Sequence, residues 1–215
     1  MFLTTTEADE IEAHVAGIEA RTGVQIVAAV VGKADTYVEL PWKAFALGVS
    51  AAALASVTVD ALRPEWTTAN TAIIQAVIVL GAGGAAALLA IFVPAFARLF
   101  LRAARAEAEV RQYAQSMCLQ RQIFATPGRT GVLVLVSLFE RRIEILADTG
   151  FRDRVSARDW NAIIERMTPL LRRGRPSQAL QQALTALDEL LIARNIRETI
   201  AGNPLADRPI QERGL

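Results

Sequence analysis

TAIIQAVIVLGAGGAAALLAIFVPAF, residues 71–96, runs for 26 positions without a charge. A helix of about 20 apolar residues crosses the hydrocarbon core of a bilayer, so this stretch is long enough to span one with room for tilt. A second uncharged stretch precedes it, AFALGVSAAALASVTV from Ala44 to Val59, lengthened at its start by Trp42 and by Lys43, whose aliphatic stem can reach the headgroups. Between them DALRPEWTTAN, Asp60 to Asn70, carries Pro64, the charges Asp60, Arg63 and Glu65, and the interfacial residue Trp66. Those residues suit a short turn emerging into water. Residues 42–97 therefore read as a two-helix transmembrane hairpin.

Small residues recur at every fourth position in the first arm (Ala44, Gly48, Ala52, Ser56), and Gly81 with Ala85 repeats the spacing in the second. Small side chains let two backbones approach where lipid supplies no hydrophobic drive, so the arms are expected to pack on each other. Gly81, Gly83 and Ala86 spell a dinucleotide fingerprint, but they lie inside an apolar helix instead of opening one after a strand. No nucleotide is expected.

The flanks set an orientation. Lys33 and Lys43 precede the hairpin and Arg98, Arg102, Arg105 and Arg111 follow it, whereas the loop offers Arg63 beside two acids. Basic residues stay on the cytoplasmic side. The expectation is a two-span protein of the inner (cytoplasmic) membrane with both termini cytoplasmic. Nothing at the N-terminus has the form of a secretory signal. Beyond Pro94, residues 98–129 read as a continuing basic helical stalk.

Composition agrees with a membrane chain: 53% of the 215 residues are hydrophobic while 6% are aromatic, and the mean hydropathy is +0.30. With 23 Lys+Arg against 22 Asp+Glu, no global field favours nucleic acid. The single cysteine, Cys118, excludes an intramolecular disulfide and any metal site built from cysteine pairs.

What lies outside the hairpin reads as one small domain split in two. In residues 1–41, Thr6 can cap a helix bearing Ile11, Val15 and Ile18 at helical spacing, and Gly23 leads into VQIVAAVV, an apolar run of strand length. One helix and one strand cannot bury their own faces, so their partners must lie beyond the hairpin. In residues 130–200, GVLVLVSL (Gly131 to Leu138) reads as a buried strand that turns through Phe139-Glu140-Arg141 into the alternating RIEILA. Ser156 and Asp159 have capping-box spacing ahead of a helix carrying Trp160, Ile163, Ile164, Met167 and Leu171. Gly174 ends that helix, and Pro176 with Ser177 starts another carrying Leu180, Leu184, Leu187 and Leu191. The tail, residues 201–215, has two prolines and little apolar content and is expected to be disordered. The fold class is α/β: a small mixed sheet covered by helices and interrupted by the hairpin.

The segments TGVQIVAAVV, RTGVLVLVSLFERRIEILADTGF and PLLRRGRPSQALQQALTAL together resemble the TPM domain, a family named for a thylakoid-lumen protein, a photosystem-II repair protein and a nematode receptor-auxiliary protein. Thr130-Gly131-Val132-Leu133 and Glu140-Arg141-Arg142 carry the resemblance most specifically. Many members have a signal peptide and an anchor after the domain. Two membrane segments within the domain look instead like a bacterial membrane-inserted subgroup. The resemblance implies no single activity, since some plant members are described as acid phosphatases, some as calcium-binding, and others as accessory proteins of membrane complexes.

The residues themselves offer little catalytic chemistry. Cys118 lacks a phosphate-cradling loop with a following arginine, and His14, the one histidine, lies one turn from Ile11 and Ile18 with a packing role. Metal ligands, if there are any, come from acids at strand ends: Asp35, Glu140 and Asp148, with Glu39 and Asp153 nearby. Two readings follow. The first is a non-enzymatic accessory or interaction module at the cytoplasmic face of the membrane, requiring no cofactor and engaging the lipid bilayer and another membrane protein or complex. The second is a metal-dependent phosphatase-like hydrolase in which Asp35, Glu140 and Asp148 hold calcium or another divalent cation and a nearby arginine holds phosphate.

Overall fold

The computed structural model describes residues 2–62, 69–198 and 205–214. They divide into two units, Met1–Asp35 with Ala104–Leu215, and Thr36–Ala103.

The first unit is built on a four-stranded sheet. Its strands are β1 (Gln25–Lys33), β2 (Gly131–Ser137), β3 (Arg142–Ala147) and β4 (Ile210–Gly214), in the order β3-β2-β1-β4. β1 is parallel to both of its neighbours, and β2 with β3 forms an antiparallel hairpin. Val27, Ala29 and Val31 face one side of the sheet with Leu133 and Leu135, while Ile26, Ala28 and Val30 face the other with Val132, Val134 and Val136. Both sides are covered, which is why β1 and β2 are apolar at nearly every position instead of alternating. β3, at the edge, is half-buried at every position but Ile143, which is buried.

Three helices cover one face: α1 (Thr5–Thr22) through Ile11, Val15 and Ile18, α6 (Ala157–Arg172) through Ile163, Met167 and Leu171, and α7 (Pro176–Ala193) through Leu180, Leu184, Leu187 and Leu191. Ser156 and Asp159 close the expected capping box on α6. Gly174, at φ +73°, makes the turn into α7 that a side chain would strain. On α1 the cap is Thr4, not Thr6. Thr4 has a glutamate three residues on, and Glu7 returns the hydrogen bond to the Thr4 amide at 2.8 Å.

Two segments depart from expectation. The stretch expected as a stalk contains α5 (Ala103–Gln120), which covers the second face of the sheet through Val110, Ala114 and Met117. Its buried stripe at helical spacing includes Ala106, a small residue that reads as weakly apolar in sequence. The tail expected to be disordered contributes β4, paired along Ala29–Lys33. Its sequence, IQERG, is polar because an edge strand is held by main-chain hydrogen bonds more than by burial. The beginning of that tail, residues 201–204, lies outside the described residues.

The second unit holds α2 (Glu39–Leu62) and α3 (Ala69–Phe92), both long and apolar enough to cross a membrane, with almost none of their apolar windows buried. Ile73, Ile74, Val77, Ile78 and Leu80 are all exposed. The helices pack antiparallel, with contacts running from Gly48 beside Gly83 to Asp60 beside Gln75. A Cβ on Gly48 would stand 2.8 Å from the Ala82 carbonyl oxygen, and one on Gly83 would stand 2.5 Å from a Val49 methyl. The close approach therefore falls on Gly83. Gly81, the residue picked out by spacing, faces open space. The Gln75 amide donates to both Asp60 carboxylate oxygens at 2.8 Å. Residues 63–68, including Arg63, Pro64, Glu65 and Trp66, lie outside the described residues. α3 stops before Pro94, whose ring drives Val93 out of the helical region to φ −116° and ψ 94°. The short helix α4 (Pro94–Ala97) and a 3₁₀ turn at Arg98–Phe100 follow.

Candidate functional site

The three carboxylates proposed as metal ligands sit at two ends of the sheet. Asp35 follows β1, and Glu140 lies in the β2–β3 turn, so these two share the end where β1 and β2 finish. Asp148 follows β3, which runs back the other way, and its amide bonds to the Gly131 carbonyl at the start of β2 at 3.0 Å. The length of β2 separates it from Glu140, about 20 Å at 3.3 Å per residue. One ion cannot bridge that distance. Among the described residues no group of three or more histidine, cysteine or acidic side chains is placed to hold a metal.

Each of the three carboxylates has a structural partner. Glu140 is buried; its Oε1 accepts the Ala34 amide at 2.9 Å and its Oε2 accepts the Ser137 hydroxyl. Asp35 Oδ2 receives Arg105 Nη2 at 3.0 Å, and Arg105 Nε also stands 3.6 Å from Glu109. Asp148 caps the 3₁₀ turn Thr149–Phe151 by accepting the Thr149 amide at 2.7 Å, and pairs with Arg129 at 2.8 and 3.1 Å. Of the other acids weighed, Glu39 lies in the first turn of α2 and Asp153 in the turn ahead of α6.

The residues weighed for nucleophilic chemistry are Cys118 and His14. The Cys118 thiol is half-buried, and burial together with the nearby Asp148 carboxylate pushes its pKa up, away from a thiolate. His14 lies partly buried on α1 between the buried positions Ile11 and Val15.

One concave feature of the first unit lies at the C-terminal ends of the parallel strands β1 and β4, beneath α5, with Asp35 at its edge. It is a cleft of about 600 Å³ whose wall includes Asp35, Glu109, Tyr113, Ser116, Gln120 and Glu212. The Tyr113 hydroxyl donates to Glu212 Oε2 at 2.7 Å, and Arg121 reaches the other oxygen at 3.2 Å. Burial and the adjacent carboxylate push the Tyr113 pKa well above its ordinary value, so the phenol stays a donor. The cleft thus presents hydroxyls, amides and carboxylates already balanced by arginines. This equips it for hydrogen-bonded recognition. Sequence reading missed it because two of its walls are β4 and α5. Glu109, Tyr113, Ser116 and Gln120 do form a stripe at helical spacing beside the buried one, and that was the available signal.

Residues 89–190 match the family model described as the TPM domain. Among solved structures, the NMR structure of BA42 protein from the psychrophilic bacterium Bizionia argentinensis aligns with a TM-score of 0.57 at 13% identity, over 98% of this chain and 96% of that one. At that identity the likeness is one of fold. No curated protein matches the chain.

Proposed function

We propose that this chain, which carries a TPM domain, is a membrane-anchored accessory module that binds a partner instead of turning over a substrate. The observation that carries the reading is the lipid-like exterior of the α2–α3 pair inserted between β1 and α5. Side chains such as Leu54, Val57, Ile74, Val77 and Ile91 are exposed over the length of both helices. Leaving so much apolar surface in water would be costly at about 25 cal/mol per Å², and a bilayer removes the cost.

On this reading the two helices are the spans of an inner-membrane protein. The chain leaves the first unit at Asp35 and returns to it at Ala104 after two spans, so both halves of that unit lie on one side. The flanking Lys33, Lys43, Arg98, Arg102 and Arg105 make that side the cytoplasm. The interaction role is supported by the carboxylates at the strand ends, which hold arginines and backbone amides of this chain, and by the cleft under α5, whose balanced polar wall suits a segment of another membrane protein or complex.

Two experiments test this. In a Cys118→Ser background, a cysteine introduced between Leu62 and Ala69 should react with an impermeant reagent added outside intact cells, while one in α7 should react only after permeabilisation. The opposite pattern would overturn the topology. For the role, a photo-crosslinker at Gln112, on the wall of that cleft, should capture one defined protein in native membranes, and Glu109→Arg should abolish the capture. Phosphomonoester hydrolysis by the purified full chain that disappears in Asp148→Ala would overturn the accessory reading.

A further inference from the structure

The two ends of the sheet in the first unit are distinguished by what is fastened there. Arg194, just past α7, bonds to Asp159 in the first turn of α6 at 2.7 Å, and the Glu198 amide bonds to the Thr22 carbonyl ahead of β1 at 2.7 Å. α6 therefore begins and α7 ends where β1 starts, and the loop between them lies at the opposite end, where β1 finishes. Near the start of α7, Gln181 donates to Glu10 on α1 at 2.9 Å. The start of α1 is held at that end in turn, because the Phe2 and Leu3 amides donate to Gln211, which pairs with Val30 in the second half of β1.

The α6–α7 loop reads Arg172-Arg173-Gly174-Arg175, and all three arginines are exposed. Among the described residues none of them is ion-paired; Arg175 meets the neutral Gln178 at 3.4 Å. Residues 166–187 contain four arginines and neither aspartate nor glutamate. The acids that α1 brings to this end are engaged, Glu7 with the Thr4 cap and Glu10 with Gln181. The loop is fixed as well as charged. The Arg173 and Arg175 amides both bond to the Leu170 carbonyl at 3.1 Å and the Gly174 amide to that of Leu171 at 3.0 Å, while Leu171 and Ala179 on either side are buried in the core. The β2–β3 turn adds exposed Arg141 at the same end of the sheet.

Chain connectivity ties this end to the apolar helices. Lys33 closes β1 and Glu39 opens α2, and the few residues between them can span no more than about 20 Å. The return path enters at the same end, since Arg105 near the start of α5 pairs with Asp35 at 3.0 Å. With α2 and α3 as spans, this end of the domain is the one nearest the headgroups, and the cytoplasmic leaflet is rich in anionic lipid.

We propose that Arg172, Arg173 and Arg175 form a docking surface for the phosphate groups of anionic phospholipids, seating the domain on the leaflet from which its spans emerge. A guanidinium group matches phosphate with paired N–H donors and stays charged throughout the physiological pH range. Each basic residue near an anionic surface favours the docked state about fivefold, so three favour it by about a hundredfold. Docking of this kind presupposes the membrane reading given above.

The full chain carrying Cys118→Ser and Gln178→Cys, with a fluorophore on the introduced thiol, tests this in vesicles of phosphatidylcholine with or without about a third phosphatidylglycerol. Both contain a phosphatidylcholine spin-labelled at its headgroup, which quenches on contact. Quenching should be about threefold or more greater with phosphatidylglycerol. It should return to the phosphatidylcholine level in 1 M salt, where the Debye length is about 3 Å. Arg172→Glu, Arg173→Glu and Arg175→Glu together should abolish the gain. The same charge change at the opposite end of the domain, Arg152→Glu with Arg158→Glu and Arg197→Glu, should preserve it. The lipid and salt comparisons leave the arginines intact, so they decide the matter even if the loop variant does not fold. A chain that alkaline carbonate extracts from the vesicles would overturn the spans and the docking together. A chain that resists extraction but is quenched equally in both lipids, or keeps its gain in the loop variant, would overturn the docking alone.

Discussion

The Glu140 carboxylate accepts the backbone amide of Ala34 across 106 positions of sequence. One oxygen thus fastens the β2–β3 turn, encoded after the insertion, to the end of the strand encoded before it. The other accepts Ser137, so the buried group is satisfied within the first unit. Glu140→Ala leaves the Ala34 amide and the Ser137 hydroxyl without this acceptor, and should destabilise that unit by about 2 kcal/mol. Urea unfolding followed by circular dichroism measures the loss, and Glu140→Gln, which keeps one acceptor, should lose less.

Asp148 is expected to act as a cap and an ion-pair partner. Removing it in Asp148→Ala deprives the turn at Thr149 of its cap and leaves Arg129 unpaired, at a cost of about 1 kcal/mol. Arg129 is about half exposed, so the ion pair itself adds little. Thermal melts with and without millimolar calcium should show the same loss. A calcium-dependent rise in Tm that vanishes in this variant would instead assign Asp148 to a cation.

The α2–α3 contact makes a discriminating pair of substitutions. Gly83→Leu forces a side chain against Phe45 and Val49 and should separate the helices, costing about 2 kcal/mol or more. Gly81→Leu projects into open space and should leave the pair intact. Cysteines at Asp60 and Gln75, whose side chains meet across the pair, placed in each background with Cys118→Ser, report helix proximity through oxidative crosslinking; equal yields in both variants would contradict the packing.

The two glycines also show where sequence reading ends. Spacing identified a close-packed apolar helix pair but not which face of α3 meets α2, because Gly81 and Gly83 both satisfy a small-residue repeat and the face depends on the partner. The buried strands, the α6 and α7 core stripes and the Ser156 capping box were legible, since each is written in local period or local hydrogen bonding. β4 and α5 were not. Gln211 is held by the Phe2 and Leu3 amides, and Ala106 is buried for being small, relations that exist only once distant segments meet. The metal proposal went astray for the same reason: strand ends were identified correctly, but the antiparallel return of β3 put Asp148 at the opposite end from Glu140.

Stability against pH should have two limbs with separate causes. Hydrogen bonds from Ser156, then from Arg194, lower the Asp159 pKa below its ordinary 3.8, and bonds from Ser177 and Thr4 lower that of Glu7 below 4.5. A depressed carboxyl contributes stability above its unfolded value and loses it as pH falls through the folded one, so both capping boxes weaken in acid below about pH 4. Glu19 acts in the opposite sense. Its pKa is raised from 4.5 to about 7, so the native state binds the extra proton and stability declines as pH climbs between those values, levelling off above. The maximum should therefore fall near pH 4 to 5, on the acid side of neutrality. Urea midpoints of the full chain in micelles, measured across the range, should trace this curve. Glu19→Gln should flatten the limb between about pH 5 and 7 while leaving the acid limb in place. A neutral limb that survives this substitution would assign it to another group.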